Sequence, residues 1–236
     1  MTTVLITGAN KGLGRETARR LALLDWTVWI GSRDTAAGEA AAKTIHEDQP
    51  DADLRVVQLD VTSDDSVNAA YDVVAASGTG LDVLVNNAGV SGRFGPAAET
   101  RAENLIPVYG VNVLGPIRVT HAFLPLLRAS ERPRLVMVSS GLGSITYVNE
   151  AQIAHGYIAG FAYHSSKAAL NMITNQYAND LPDVRVVAVD PGYTATDLNG
   201  FSGTQDVTEG TDAIVLAAAG DEVPGRYFNR HGAVPW

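Results

Sequence analysis

A tyrosine and a lysine four residues apart stand in the stretch Tyr163-His164-Ser165-Ser166-Lys167-Ala168-Ala169-Leu170. The stretch and its alanine- and leucine-rich continuation to Met172 and Ile173 read as a helix. Residues four apart share a helix face, so the phenol of Tyr163 would project beside the ammonium of Lys167. A nearby positive charge favours the phenolate and lowers a tyrosine's pKa from its usual value of about 10. Such a tyrosine becomes a usable proton donor and acceptor near neutral pH. A solvated helical turn would also bring the two side chains together by chance, and the rest of the chain decides between these readings.

The second chemical motif lies near the start, in Thr7-Gly8-Ala9-Asn10-Lys11-Gly12-Leu13-Gly14. It follows a strand-like run and precedes a helical pattern. Glycines permit a tight turn and a close backbone approach to a phosphate, and a helix N-terminus supplies free N–H groups and a positive dipole end. The spacing is Gly-x-x-x-Gly-x-Gly, and the Gly-Lys-Ser/Thr ending of a nucleotide-triphosphate loop is absent. A dinucleotide is therefore expected, not hydrolysis of a nucleoside triphosphate. An acid after the second strand would bind the ribose 2′-hydroxyl and repel a 2′-phosphate. Here the strand ends in Gly31-Ser32-Arg33. A hydroxyl followed by arginine suits a phosphate, and Lys11 is placed to reach the same group. These residues favour NADP(H) over NAD, with Asp34 one position late for the ribose role.

The elements that must position these groups alternate along the chain. Strands are expected at Thr3–Thr7, Thr27–Gly31, Leu54–Leu59, Leu81–Val85, Leu135–Val138 and Val184–Val189, with a short seventh at Arg226–Asn229. Helical spacing covers Gly12–Leu24, Thr35–Asp48, Ser63–Ala76, Phe161–Leu181 and Thr208–Ala219, with Ser63 as an N-cap. Ala102–Leu127 is also helical, and Pro107 and Pro116 predict a break or kink inside it. This rhythm means an α/β protein of Rossmann type: one doubly wound, mostly parallel sheet of seven strands with helices on both faces. One domain is expected across residues 1–236. Ligands in such sheets sit beyond the carboxyl ends of the strands.

Composition narrows the function classes. Of 236 residues, 46% are apolar and 18% charged, enough for a sizeable core, and the net charge of −9 argues against nucleic acid and anionic membranes as partners. With no cysteine, disulfides and thiolate chemistry are excluded, and a cytoplasmic location is expected. No signal peptide is expected before the strand at Val4, and no apolar stretch approaches a membrane span. Five scattered histidines without paired acids predict no catalytic metal.

Further motifs end the later strands: Asn86-Asn87-Ala88-Gly89, Ser139-Ser140 and Pro191-Gly192, with Asn112 inside the long helical segment. Together with the glycine loop, Tyr163 and Lys167, they resemble in order and rhythm the short-chain dehydrogenases/reductases of the classical type, over nearly the whole chain. Thr-Gly-Ala-Asn-Lys-Gly-Leu-Gly, Gly-Ser-Arg-Asp and the segment Arg226-Tyr227-Phe228 to Trp236 are most similar to NADPH-dependent carbonyl reductases. The resemblance implies that Tyr163 is the general acid, protonating a carbonyl oxygen as hydride arrives at its carbon. Lys167 would lower the pKa of Tyr163 and hold the nicotinamide ribose, and Asn112 would stabilise a water linking Lys167 to solvent. Ser140 would orient the substrate oxygen; Ser139 competes for that role, but neighbouring strand residues point opposite ways. Asp60 with Val61 would bind adenine, Asn87, Ala88 and Gly89 the adenosine side, and Pro191, Gly192, Thr194 and Thr196 the nicotinamide end.

The resemblance thus implies an NADPH-dependent oxidoreductase that reversibly reduces a ketone, aldehyde or quinone-type carbonyl to an alcohol. Two alternatives are a ketoreductase of a specialised biosynthetic path and a non-catalytic NADP-binding sensor. The chain departs from the family pattern in two places. The segment between Ser140 and Tyr163 is long, so a substrate loop is expected at 141–160. The lid after Gly192, Tyr193 to Val207, is short, which suggests an open pocket. Phe94, Tyr147, His155, Tyr157 and Tyr193 are candidate pocket residues. Monomer, dimer and tetramer are all compatible with the sequence.

Overall fold

A computed structural model describes residues 1–155 and 160–236, with side chains for all of these except 151–155. Strands β1 (Thr3–Thr7), β2 (Thr27–Ser32), β3 (Leu54–Gln58), β4 (Val83–Asn86), β5 (Arg134–Val138), β6 (Arg185–Val189), β7 (Tyr227–Asn229) and β8 (Gly232–Ala233) form one sheet. Its order is β3-β2-β1-β4-β5-β6-β7-β8. All neighbours are parallel except β8, which pairs antiparallel with β7 through Asn229 and Gly232. The eighth strand extends the seven-stranded expectation; two residues carry no periodicity from which it could be read. The direction of winding reverses between β1 and β4, where Val4 pairs with Val28 on one side and Val83 on the other. Ligand crevices open at such a switch point.

The sheet is covered on both faces because its strand residues alternate between two cores. Val4 and Ile6 pack with Leu21, Ile45 and Ile214, whereas Leu5 packs with Val67, Phe123 and Leu170 on the opposite face. The first face is supplied by helices α1 (Gly12–Ala22), α2 (Thr35–Asp48) and α9 (Asp212–Ala219), with the short α8 (Val207–Gly210) packed against α1 and α9. The second is supplied by α3 (Asp64–Ala76), α4 (Ala102–Tyr109), α5 (Gly115–Arg128) and α7 (Phe161–Asp180). Ser63 does cap α3, accepting from the Ser66 N–H at 3.2 Å.

Two segments differ from the sequence expectation. Between α4 and α5 the chain does not break at a proline; it widens into a π-helical turn, Gly110–Leu114, and Pro116 follows that turn as the second residue of α5. The expected loop at 141–160 contains a 3₁₀ turn, Gly141–Gly143, and a helix, α6 (Ile145–His155). The buried Ser144 hydroxyl starts α6 by accepting from the Tyr147 N–H at 3.0 Å. Apolar residues of α6 are spread around the helix, which hides it from a periodicity reading.

Phe123 anchors the α3/α5 face. It is fully buried, and the Tyr71 ring meets it edge-on at 5.7 Å. Phe123→Ala is expected to lower stability by about 3–5 kcal/mol, the usual cost of a core aromatic truncated to a cavity. A urea midpoint indistinguishable from wild type would show that this face of the sheet is not a cooperative part of the fold.

Candidate active site

The site is assembled where the β1 and β4 loops meet. Thr7 Oγ1 accepts from the backbone N–H groups of Asn87 at 3.0 Å and Ala88 at 2.9 Å. The Asn87 side-chain amide returns the contact, donating to the carbonyls of Thr7 (2.9 Å) and Gly8 (3.2 Å). Gly14 makes this closeness affordable: a Cβ there would lie 2.5 Å from both Asn87 Nδ2 and the Gly8 carbonyl. Gly8 and Gly12 hold positive φ angles of 64° and 54°, which a side chain resists. Gly12 faces Thr196: a Cβ there would lie 3.6 Å from the Thr196 methyl group.

Helix α1 begins in this loop with Lys11 at its N-cap, making no side-chain cap, and with no acid in its first turn. The N–H groups there remain free for an anion. By contrast, Asp34 caps α2, accepting from the Ala37 N–H at 3.2 Å. Its carboxylate is thereby committed to the helix. Buried Ser32 donates its hydroxyl to the Asp34 carbonyl at 2.6 Å. Arg33 is exposed and makes no ion pair among the described residues. Lys11 pairs with Asp197 of the lid at 3.4 Å. Asp60 Oδ1 accepts from the Thr62 N–H at 2.9 Å and the Thr62 hydroxyl at 2.7 Å, a turn-forming role. These bonds, with lesser pulls from Arg33 and Arg118, hold its carboxyl below the usual range. Val61 is buried beside them, against Gly115.

The catalytic candidates come from β5 and α7. The two serines after β5 point in opposite directions. Ser139 is buried, donating to Asn171 Oδ1 at 2.5 Å. Ser140 starts the 3₁₀ turn, its Oγ accepting from the Leu142 N–H at 3.2 Å, and it faces Tyr163. Lys167 is 4% exposed, and its ammonium donates to the Val138 carbonyl at 2.8 Å, 5.7 Å from the Tyr163 ring centroid. Fully buried Asn112 sits in the π turn. Its Oδ1 accepts from the Val90 N–H, and its Nδ2 donates to the Val90 carbonyl, both at 2.9 Å, and to Ser166 Oγ at 3.0 Å. Asn112 therefore braces the β4 loop against α7. Gly89 packs between them: a Cβ there would lie 3.5 Å from Asn112 Oδ1 and 3.7 Å from Lys167 Nζ.

The dominant influence on the ionisation of Tyr163 is desolvation. Burial pushes its pKa up to about 12, the Ser140 hydroxyl pulls it down, and Asp190 pushes it further up. Burial lowers Lys167 to about 8. The phenol is thus held as an acid with its proton on. Asp190, buried directly before Pro191, is a site residue that the strand-end motif concealed; its Oδ1 accepts from the Gly192 N–H at 3.0 Å.

The lid from Tyr193 to Val207 is closed at its base. Thr194 bridges to Gln205, whose amide donates to Thr194 Oγ1 at 2.8 Å and to the Pro191 carbonyl. Tyr193 and Phe94 are exposed, Tyr147 packs against Gly141, Tyr157 lies outside the described residues, and so does the side chain of His155. Among the described residues no helix is long and apolar enough to cross a membrane, and no cluster of acids and histidines could hold a metal.

A doubly wound sheet with a glycine loop at its switch point and a serine, tyrosine and lysine beside it defines a dinucleotide-binding oxidoreductase of the Rossmann type. A family model described as short chain dehydrogenase matches residues 2–206, and the chain belongs to that family. The chain is 37% identical to the short-chain dehydrogenase anuI of Penicillium roqueforti, covering 91% of this chain and 87% of that one. It is 32% identical to a (+)-neomenthol dehydrogenase of Arabidopsis thaliana, covering 96% and 95%. The NADPH-bound carbonyl reductase from chicken fatty liver superposes with a TM-score of 0.85 at 27% identity, covering 100% of this chain and 94% of that one. The chain is an oxidoreductase of the carbonyl/alcohol type that takes a nicotinamide cofactor and a small-molecule substrate.

Burying Lys167 has a measurable cost. Its pKa is about 8 in the folded protein against an ordinary 10.5. Between those values the unfolded chain keeps a proton that the folded chain has released, so this group makes stability rise with pH. Tyr163 acts in the opposite sense, and only above its ordinary value of 10. In urea titrations, wild type is expected to gain ~2 kcal/mol on Lys167→Met between pH 8 and pH 10. A wild-type-to-variant difference that stays constant with pH would mean that Lys167 is solvated.

Proposed function

We propose that the protein is an NADPH-dependent reductase of ketone, aldehyde or quinone-type carbonyl compounds, reversible as an alcohol dehydrogenase. The observation that carries this reading is the convergence of Ser140, Tyr163 and Lys167 beside a loop in which Gly8, Gly12 and Gly14 bring bare backbone to the N-terminus of α1. That backbone fits the diphosphate of a dinucleotide. Asp60, Val61, Asn87, Ala88 and Gly89 would take the adenosine side. Pro191, Gly192, Thr194 and Thr196 would take the nicotinamide end. The preference for NADPH rests on Arg33, a surface cation after β2 with no ion pair among the described residues, and on the commitment of Asp34 to capping α2. Lys11 would join Arg33 by exchanging Asp197 for the 2′-phosphate. The NADPH-bound carbonyl reductase among the similar structures supports the same choice.

Bound NADPH supplies the hydride. The chain's own residues supply orientation and the proton. Ser140 Oγ donates to the substrate oxygen and fixes it against Tyr163. Tyr163, protonated well above neutral pH, gives its proton to that oxygen as negative charge develops on it. Lys167 would hold the nicotinamide ribose and place a positive charge near the phenolate that forms. Asn112 keeps α7 and the β4 loop in register while this happens. The short lid and the exposed aromatic rings of Phe94 and Tyr193 suit bulky apolar carbonyl compounds.

Two variants test the reading. With purified protein, NADPH and a panel of ketones, aldehydes and quinones, Tyr163→Phe is expected to lower turnover by about 10²–10⁴-fold while NADPH still binds. A variant as active as wild type would sink the general-acid assignment. Arg33→Ala is expected to raise the apparent KM for NADPH by roughly ten- to a hundredfold, the worth of a charge-assisted hydrogen bond to phosphate, and that for NADH hardly at all. Equal changes for both cofactors would refute the 2′-phosphate assignment.

A further inference from the structure

Ser140 and Ser139 are held in different ways. Ser139 is anchored by its side chain, through Asn171. The side chain of Ser140 has only the local bond from the Leu142 N–H and must stay available to a substrate, so its position rests mainly on its backbone. The Ser140 carbonyl accepts two hydrogen bonds. One comes from the Gly143 N–H at 2.8 Å and closes the local turn. The other comes from the hydroxyl of Tyr227 at 2.6 Å, a short bond from a distant part of the chain.

Tyr227 is well built for this contact. It lies on β7, which pairs with β6 through Ala188, so its side chain reaches past β6 to the end of β5. It is 2% exposed, and its ring stacks on Trp236 with centroids 5.1 Å apart and planes 29° apart. Burial pushes its phenol pKa up, with Asp190 adding to the shift, so its proton is permanently available to donate. The turn it grips is enclosed on the other side: a Cβ at Gly141 would lie 3.0 Å from Asp190 Oδ2 and 3.1 Å from the Tyr147 ring.

The geometry points to Tyr227 as a positioning residue for Ser140, acting through the Ser140 carbonyl and itself held by Trp236. The inference rests on the reading of Ser140 as the residue that orients the substrate oxygen. Without the hydroxyl, one of the two bonds fixing the peptide after Ser140 is lost, and Oγ is free to drift from its reactive position. Misplacements of about 1 Å cost up to about a hundredfold in rate.

The test is a double-mutant cycle on wild type, Ser140→Ala, Tyr227→Phe and the double variant, with NADPH and whichever carbonyl compound wild type reduces best. Tyr227→Phe keeps the ring and its stack on Trp236. It is expected to lower kcat about tenfold while the Kd for NADPH, from fluorescence titration, changes less than about twofold. In the Ser140→Ala background the same substitution is expected to change the residual kcat less than about twofold, because the group being positioned is gone. A general loss of structure would instead lower both backgrounds by the same factor, and that result, or an unchanged kcat in Tyr227→Phe, overturns the proposal. Ser140→Ala with wild-type turnover would remove the catalytic reading of Ser140 itself and the positioning role with it. If Tyr227→Phe does not fold, Trp236→Leu takes its place, leaving the hydroxyl but loosening the ring. A loss of kcat confined to the Ser140 background supports the proposal, and an equal effect in both backgrounds, or none, overturns it.

Discussion

The Thr7 hydroxyl is the point on which the two halves of the site depend. It takes two backbone N–H groups from the β4 loop, while Asn87 ties the same loop back to the carbonyls of β1. At a switch point the loops leave the carboxyl ends of adjacent parallel strands toward opposite faces of the sheet. Cross-linking them there turns two independent loops into one rigid floor. The absence of a side chain at residue 14 is a condition of that floor, because any Cβ would push Asn87 away. The two loops that would hold the nucleotide therefore share one structural origin.

Helix α7 supplies the other half. It presents Tyr163, Ser166 and Lys167 toward the carboxyl end of β5 and the π turn, and each has a distinct environment. Ser166 donates to the Tyr163 carbonyl at 2.7 Å and accepts from Asn112. Lys167 is buried with a single backbone acceptor, and Tyr163 is held against Ser140 with Asp190 nearby. Burial works against charge on both: it keeps the tyrosine neutral and weakens the lysine's hold on its proton. A site of this kind is destabilising by construction. The surrounding cores, with their fully buried valines, leucines and phenylalanines, carry that cost.

Much of this was legible in the residues because its causes are local. Runs such as Thr3-Val4-Leu5-Ile6-Thr7 can bury both faces only as inner strands, and Ser63 caps the helix that its position announces. Strand alternation made one of Ser139 and Ser140 face inward and the other toward the crevice, and the hydrogen bonds of Ser139 agree. What escaped the sequence has causes that are not local. The ionisation of Tyr163 depends on how deeply the whole fold buries it. Lys11 meets Asp197, and Ser140 meets Tyr227, across long stretches of chain. Helix α6 has no single apolar stripe to betray it, and β8 is only two residues long. The break expected from two prolines became a widened turn because the helix could absorb an extra residue without losing its direction.

That widened turn has a consequence for how the protein can change. In a π turn the hydrogen bonds span five residues instead of four, so one more residue fits into the helix while its two flanks keep their phase. Asn112 occupies such a turn, and the side chains of α5 that fill the core, Val119, Phe123 and Leu127, follow it in unbroken helical spacing. Shortening the turn by one residue would restore an ordinary helix with the same packed faces. Here the scaffold and the brace for α7 are separable: a lineage could lose the brace and keep the fold, or acquire it, in one insertion or deletion.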